Sequence, residues 1–316
     1  MSDWGAGYVT DVEYLPGFYR EQAPAHMALA CLLGGTAPPD LPPDFAYCDL
    51  GCGAGRTTAV LAAANPAARF YGVDFHPAHI ARAQRLARRA GLDNATFIEA
   101  GFADLARSDG GGGDGPALPA FDAVALHGVY AWISPDNRGA LVRLLARIVK
   151  PGGMVYVSYN SLPGWTPLAP LQRLLLETAA LTQGPATEKV AAGIDFALKL
   201  RAAGADILGE ADAIRQMRDA GPTDSDGEKL AYLAHEYLNA HWSPLYHADV
   251  ARDMAAAKLT YAGSATVLEN FPSLALTPEQ QAVLATVADP VLRETFKDYC
   301  ARRPFRRDVF VRGAQR

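Results

Sequence analysis

Three glycines at alternate positions follow a short apolar run in the first fifth of the chain. Gly51, Gly53 and Gly55 come directly after residues 47–50 and before a stretch that predicts a helix. Glycine tolerates the positive φ angles of a tight strand-to-helix turn and has no Cβ to keep a ligand off the backbone. The G-x-G-x-G spacing differs from the G-x-G-x-x-G of dinucleotide sites, where helix amides face a pyrophosphate. Asp49 would repel a pyrophosphate but suits a ligand with an ammonium group, which points to S-adenosyl-L-methionine.

Later segments could complete a site for this ligand, whose demethylated product is S-adenosyl-L-homocysteine (AdoHcy). Asp74 ends a second apolar run, 25 positions after Asp49, and a carboxylate at a strand tip can hold a ribose diol by two hydrogen bonds. A third run ends near Gly101, where an aromatic residue and an acid could pack against adenine and accept its amino hydrogens. The predicted cofactor residues in the core are Asp49, Gly51, Cys52, Gly53, Gly55, Asp74, Phe75, Gly101, Phe102, Ala103, Asp104, His127, Gly128 and Val129.

These residues require strands that end at one edge of a sheet and helices that return the chain. Apolar runs predict strands at 47–50, 70–74, 96–100, 121–126 and 154–159, the third running into a loop. Pro77 and Pro135 predict the first turns of two connecting helices. Alternation of strand and helix predicts an α/β fold with a parallel sheet wound on both faces. Over residues 46–160 this order resembles the class I S-adenosylmethionine-dependent methyltransferases.

The class I resemblance implies a Rossmann-like seven-stranded sheet that ends in an antiparallel pair, with the last strand beside the fifth. We assign these two strands to 259–267 and 305–312. Residues 163–258 are rich in Ala and Leu and predict helices, among them 207–219 and 228–239. The predicted domains are an amino-terminal arm and helix at 1–45, the cofactor-binding core at 46–162, a helical insertion forming a substrate lid at 163–258, and the last strands at 259–316.

A second resemblance is carried by residues 233–239 (LAHEYLN) and 242–247 (WSPLYH), which are similar to the so-called methyltransferase regulatory domain. Proteins of this group, which include bacterial protein lysine methyltransferases, also carry an aromatic amino-terminal arm, matched here by residues 8–24. The resemblance implies that arm aromatics cover the cofactor, and Tyr14 and Tyr19 are the candidates. Many members continue past the position of Arg316 into a further domain, so any substrate role of that domain would not be carried by these residues.

The resemblance implies a lysine side chain as methyl acceptor, which must lose its proton before transfer. The lysine reference pKa is about 10.4, and desolvation in an aromatic slot favours the neutral amine. Asn160 and Glu236 could hold the amine, and His127 or His235 could take its proton. The predicted catalytic residues are His127, Tyr130, Tyr159, Asn160, Trp165, His235, Glu236 and Tyr246. The aromatic members could equally form a structural core.

Two other functions are compatible with the same residues. A small-molecule O- or N-methyltransferase uses the same fold and often a helical lid. A non-catalytic module that binds S-adenosylmethionine and regulates a partner would keep the cofactor residues without turnover. The sequence does not indicate which acceptor is used or how many chains assemble.

Composition narrows the remaining classes. The net charge of −5 and isoelectric point near 5.8 argue against nucleic acid as a partner. No apolar run is long enough for a membrane span or placed as a signal peptide. The four cysteines have no zinc spacing and the seven histidines form no H-x-x-x-H pair, so we predict no metal site and expect a reduced, cytoplasmic setting.

Overall fold

The structure is a computed structural model that describes residues 5, 7–12, 14, 17–107, 116–208 and 225–314. Most of the predicted helix at 207–219 lies outside these residues. Packing divides the described residues into two units. The larger unit takes those within 16–130, 135–164 and 244–316, and the smaller unit takes those within 1–15, 131–134 and 165–243.

The larger unit contains a seven-stranded sheet in the order β3-β2-β1-β4-β5-β7-β6. The strands are β1 Ala46–Leu50, β2 Arg69–Asp74, β3 Ala95–Glu99, β4 Phe121–Leu126, β5 Val149–Asn160, β6 Leu259–Ser264 and β7 Phe305–Arg312. Strands β1 to β5 run parallel, and β7 is antiparallel to both β5 and β6. This topology confirms the predicted fold class, including the last strand beside the fifth. Strand order reverses between β1 and β4, the point where open parallel sheets bind ligands.

Helices connect the strands and form the smaller unit. In chain order they are α1 Pro24–Leu33, α2 Arg56–Ala64, α3 Pro77–Ala90, α4 Phe102–Arg107, α5 Pro135–Ile148, α6 Ala169–Leu181, α7 Ala186–Ala202, α8 Asp226–Tyr237, α9 His247–Ala256, α10 Pro272–Ala275, α11 Pro278–Ala285 and α12 Pro290–Ala301. Helices α6, α7 and α8 belong to the smaller unit, and the others belong to the larger one. The predicted segment 163–258 thus contributes α9 to the larger unit, and its role as a lid stays a prediction.

The local signals for α3 show why the connecting helices form where they do. Pro77 occupies the first turn, and the His76 ring caps the helix by accepting the Ala78 N–H at 3.2 Å. Ile80 and Ala83 are buried with Phe97 of β3. Gly91, with φ of +63°, ends the helix in the left-handed region. The result is a helix that covers the edge of the sheet beside the glycine turn.

Three parts of the fold differ from the prediction. Residues 102–107 form α4, where a loop was expected. Strand β5 begins at Val149, upstream of the predicted start at 154. Helices α10, α11 and α12 lie between β6 and β7, a connection for which no helix was predicted.

The described part of the chain contains neither a candidate membrane span nor a cluster of metal ligands. None of its helices combines the length and the apolar composition that a bilayer crossing needs. No three His, Cys, Asp or Glu side chains within these residues gather as metal ligands.

Candidate active site

The glycine turn after β1 is packed closely beneath and open at its centre. The N–H groups of Gly51 and Cys52 both donate to the Val73 carbonyl, at 2.8 and 3.0 Å. A Cβ added to Gly55 (φ +72°) would stand 2.5 Å from Phe97 Cε1, so the turn tolerates no side chain there. A Cβ on Gly53 (φ +53°) would meet no described atom within 4 Å. The space over Gly53 therefore suits a ligand that approaches the backbone.

Asp49 is buried beneath this turn, with 3% of the residue exposed. Its Oδ2 accepts the Thr58 hydroxyl proton at 2.8 Å, from the first turns of α2. Burial raises the pKa of Asp49 to about 7, and the charge of Asp74 adds to the rise. The carboxyl is therefore partly protonated at neutral pH, and a nearby cation would favour its charged form.

Asp74, at the carboxyl end of β2, is the link between the glycine turn and α3. Its Oδ2 accepts the Gly53 N–H at 2.9 Å, and its Oδ1 accepts the His76 N–H at 2.9 Å. His79 Nδ1 lies 3.2 Å from the same Oδ1. These bonds fix the carboxylate beside the open face of Gly53, as the ribose prediction requires.

His127 and Tyr19 meet at the end of β4. Their rings are stacked with centroids 3.8 Å apart. The Tyr19 N–H donates to Thr57 Oγ1 at 3.1 Å, and the Thr57 hydroxyl donates to the Gly17 carbonyl at 3.3 Å. The start of α2 therefore holds the arm against the strand end. This placement agrees with a cofactor role for Tyr19, which stays a prediction.

The His127 ring is held as a neutral imidazole. Its Nδ1 lies 2.8 Å from the Tyr156 hydroxyl and 3.2 Å from Ser158 Oγ. Burial lowers the pKa of His127 to about 3, and the charge of Arg307 lowers it further. Such a weak base cannot retain a proton taken from an ammonium group. Ser158 Oγ also accepts the Gly128 N–H at 2.9 Å, which fixes the loop after β4.

The predicted adenine segment contains the first turn of α4. Gly101 precedes the helix, and Phe102 and Ala103 are half-buried in it. Asp104 is exposed and forms an ion pair with Arg107 at 2.5 Å. Phe75, after β2, is also half-buried. The segment predicted as a loop is therefore the start of a helix, because residues 102–107 form α4.

The acceptor candidates of the larger unit lie in different environments. Tyr130 is fully buried and donates its hydroxyl proton to Asp253 at 2.8 Å. The Tyr246 ring stacks on Tyr299 with centroids 6.2 Å apart. Asn160 is 2% exposed at the end of β5, and its Nδ2 finds no acceptor among the described residues.

Tyr159, which is predicted to contact the acceptor, lies in a buried hydrogen-bond network. Its hydroxyl donates to Asp308 at 2.6 Å, within a buried network that includes His247 and Arg306. Side chains alternate across a strand, so Tyr159 faces the opposite side of the sheet from Ser158, which contacts His127. Tyr159 therefore does not line a slot beside His127.

The other candidates belong to the smaller unit. The Trp165 ring packs edge-on to Tyr237 and Trp242, with centroids 5.8 and 5.5 Å apart. Glu236 is half-buried, and the surrounding protein raises its pKa to about 7. Their place at an acceptor site stays a prediction.

His235 and Tyr14 hold the beginning of the chain within that unit. His235 Nε2 lies 2.8 Å from the Val12 carbonyl. The Tyr14 ring meets the His235 ring edge-on at 5.2 Å, and the Tyr8 ring lies 5.5 Å from it. The observed partner of Tyr14 is thus His235, whereas Tyr19 contacts the β4 end.

Sequence reasoning missed three residues near His127. Tyr156 and Ser158 support its ring from alternate positions of β5, and Arg307 acts on it from β7. The period-two spacing of Tyr156 and Ser158 is a signal that could have found them, because alternate residues of a strand share a face.

The chain resembles two protein-family models and several known proteins. A model of a methyltransferase domain matches residues 48–155, and one of a predicted methyltransferase regulatory domain matches residues 229–312. The uncharacterized protein sll1526 of Synechocystis sp. is 37% identical over 98% of this chain and 59% of its own length. The uncharacterized protein RP028 of Rickettsia prowazekii is 28% identical over 49% of this chain and 58% of its own.

The same fold is present in PKMT2 from Rickettsia typhi, solved in complex with AdoHcy. The TM-score is 0.76 at 22% identity, and the match covers 95% of this chain and 55% of that one. The chain thus spans between half and two thirds of the length of these relatives. The likeness shows the fold and confirms the predicted seven-stranded architecture.

Proposed function

Because the chain carries a methyltransferase domain of the class I fold together with a segment of the methyltransferase regulatory type, we propose that it is an S-adenosylmethionine-dependent methyltransferase. The observation that carries the proposal is the open glycine turn at Gly53 with Asp74 bonded to its amide. A Cβ would fill that space, and the acids beside it suit a ribose and an ammonium group. The residues present therefore fit this cofactor.

The residues around the glycine turn would have distinct tasks in binding the cofactor. Asp74 would accept the ribose hydroxyls, and Asp49 would balance the positive charge of the amino-acid end. The stacked rings of Tyr19 and His127 would present an aromatic and neutral surface at the β4 end. When bound, S-adenosylmethionine supplies the methyl group from its sulfonium. A neutral His127 ring adds no second positive charge beside that sulfonium.

Methyl transfer is an in-line displacement that depends on alignment of donor and acceptor. Holding the reactants in place can lower the barrier by about 7–11 kcal/mol. An amine acceptor must also give up a proton. His127, with a pKa of about 3, is too weak a base for that step, and we assign it to ring stacking on Tyr19.

The acceptor that we propose is a lysine side chain of a protein. The segment that matches the methyltransferase regulatory domain resembles bacterial protein lysine methyltransferases, and this resemblance supports the lysine assignment.

The test is transfer of label from methyl-labelled S-adenosylmethionine to a lysate of the source cells. We expect acid-stable label in protein, recovered as methylated lysine, with wild type and not with Asp74→Ala. Label confined to small molecules would overturn the lysine assignment and leave a methyltransferase. Cofactor binding without any label in either fraction would favour a regulatory module instead.

A further inference from the structure

One face of the β5–β7 pair carries polar residues that the proposed function does not use. In the antiparallel register Asn160 pairs with Phe305, Ser158 with Arg307, and Tyr156 with Val309. Side chains on directly paired positions share a face, and long ones also reach the diagonal neighbour. Asn160 and Arg307 are diagonal neighbours on the face that holds His127.

Arg307 is a half-buried cation with no acid beside it in the described part of the chain. Its guanidinium carbon lies 5.0 Å from the Phe305 ring centroid, which leans it toward the strand position of Asn160. Its NH1 group lies 3.4 Å from Thr266 Oγ1. Its buried Nε finds no acceptor, and no described carboxylate stands within ion-pair distance of it. The Tyr156 hydroxyl is a hydrogen-bond partner of the Arg307 side chain, and it is not an anion.

The neighbouring Arg306 shows what a structural arginine looks like in this chain. It is fully buried on the opposite face and bonds three carboxylates, those of Asp298, Asp308 and Glu294. Burial of a guanidinium is normally compensated in this way. Arg307, which is half-buried, has no such carboxylate partner among the described residues.

Asn160 provides a second donor without a partner. The side chain is almost entirely buried, and its Nδ2 has no acceptor among the described residues. Its backbone carbonyl is satisfied by the Leu245 N–H at 2.9 Å. Buried amide N–H groups are almost always paired, so an unpaired one next to an unpaired guanidinium N–H indicates an absent acceptor.

We propose that Asn160 Nδ2 and the Arg307 guanidinium bind a carboxylate of the methyl acceptor. The inference rests on the proposed methyltransferase function and adds the charge of the substrate. Guanidinium groups match the planar carboxylate and bind it by charge-assisted hydrogen bonds. Strands β1 and β7 are separated by β4 and β5, a distance of about 14 Å at 4.8 Å per strand. The carboxylate at β7 is therefore that of the acceptor and not that of the cofactor, whose glycine turn follows β1.

The direct test follows the Arg307 Nε–Hε resonance in arginine-labelled protein by nuclear magnetic resonance. With AdoHcy bound, we expect millimolar acetate to shift this resonance in a saturable manner. Asn160→Asp places a carboxylate beside Arg307 and should abolish the response, while Arg302→Gln, an exposed neighbour, should preserve it. Arg307→Lys identifies the resonance and keeps the charge if Arg307→Gln fails to fold.

Two results of these binding measurements would overturn the inference. One is an absence of any acetate response at Arg307 in a protein that binds AdoHcy by calorimetry. The other is a shift caused by AdoHcy alone, with AdoHcy binding weakened tenfold or more in Arg307→Gln, which would assign the site to the cofactor. Failure of AdoHcy to bind wild type would instead contradict the proposed function, so the two failures are distinguishable.

The source of the carboxylate is separated by matched acceptors. Lysine peptides with Asp or Glu beside the lysine are compared with their Asn or Gln counterparts, and free lysine is compared with its amide. We expect the carboxylate member of one series to be about tenfold better in kcat/KM, with the preference lost in Arg307→Gln. Equal rates in both series would overturn the inference.

Discussion

Asp49 and Asp74 are two buried carboxylates with different tasks at the glycine turn. Asp74 accepts two backbone N–H groups and fixes the turn to α3. Asp49 has a single hydroxyl donor, Thr58, and burial raises its pKa to about 7. Asp49 is therefore the residue whose charge changes when a cation approaches.

The pKa of Asp49 predicts how cofactor affinity depends on pH. Below about pH 7 the free protein holds Asp49 neutral, and a ligand with an ammonium group must drive off its proton. The affinity for AdoHcy should therefore rise about tenfold between about pH 6 and about pH 8, with release of one proton per site. Calorimetry in buffers of different ionisation enthalpy measures both effects. Asn at this position should remove the slope, and an equal slope in Asp49→Asn would contradict the assignment.

At the scale of single residues, the sequence predicted best those residues fixed by a local motif. Gly53 and Asp74 lie where their strand ends place them. The face of Tyr159 is not visible in the sequence because every residue of β5 from Gly153 onward is buried, so neither face gives an alternation signal. The face of such a residue depends on pairing with β7, which only the structure gives.

The turn between β1 and α2 works as one element, and its glycines serve different ends. Ala at Gly53 adds a methyl group to open space, with a left-handed backbone cost of about 1 kcal/mol. Ala at Gly55 adds the clash with Phe97 and should lower the free energy of unfolding by about 3 kcal/mol. We expect Gly53→Ala to weaken AdoHcy binding at least tenfold with little loss of stability. Denaturant titration and calorimetry separate the two, and equal destabilisation would refute the open-face interpretation.

The arm segment 17–22 is the second element that we expect to act on the cofactor. Replacing Tyr19 by Ala removes its ring from His127. An aromatic pair contributes about 1 kcal/mol, so AdoHcy binding should weaken about fivefold. Phe18 is 47% exposed, and Phe18→Ala is the matched control that should bind as wild type. An unchanged dissociation constant in Tyr19→Ala would remove the arm from the site.

Elements differed in how well the sequence specified them. Strands β2 and β4 and helices α3 and α5 have apolar runs or proline starts that are visible locally, and they form where predicted. Helices α10 and α11 are short and expose several large apolar side chains, among them Leu274 and Val283, so their sequence lacks a clear amphipathic period. Their conformation depends on packing in the β6–β7 connection.

At the scale of the whole molecule, β5, β7, α9 and α12 are joined by buried charges. Arg306 bonds three acids, and Asp308 also accepts from Tyr159 and from His247. This network ties the last strand of the sheet to its neighbours. It lies on the opposite face of β7 from Arg307, so we assign it to stability.

That assignment gives a prediction for Tyr159. Removing its hydroxyl in Tyr159→Phe should lower the free energy of unfolding by about 1–2 kcal/mol, because one hydrogen bond to the Asp308 carboxylate is lost. AdoHcy affinity should stay within about twofold of wild type. Tyr71→Phe is the control, since the structure records no hydrogen bond of that hydroxyl among the described residues. A strong loss of methyl transfer at unchanged stability would restore Tyr159 to the acceptor site.

The most direct test of the account is calorimetric binding of AdoHcy to wild type and to Asp74→Ala. Asp74 is predicted to hold the ribose by two charge-assisted bonds, and their loss should weaken binding about 100-fold or more. Asp44→Ala, at an exposed position, should bind as wild type, and thermal unfolding should show all three proteins folded. Tight binding to wild type with that loss would establish the cofactor site. Wild-type affinity in Asp74→Ala, or no binding to wild type, would contradict it.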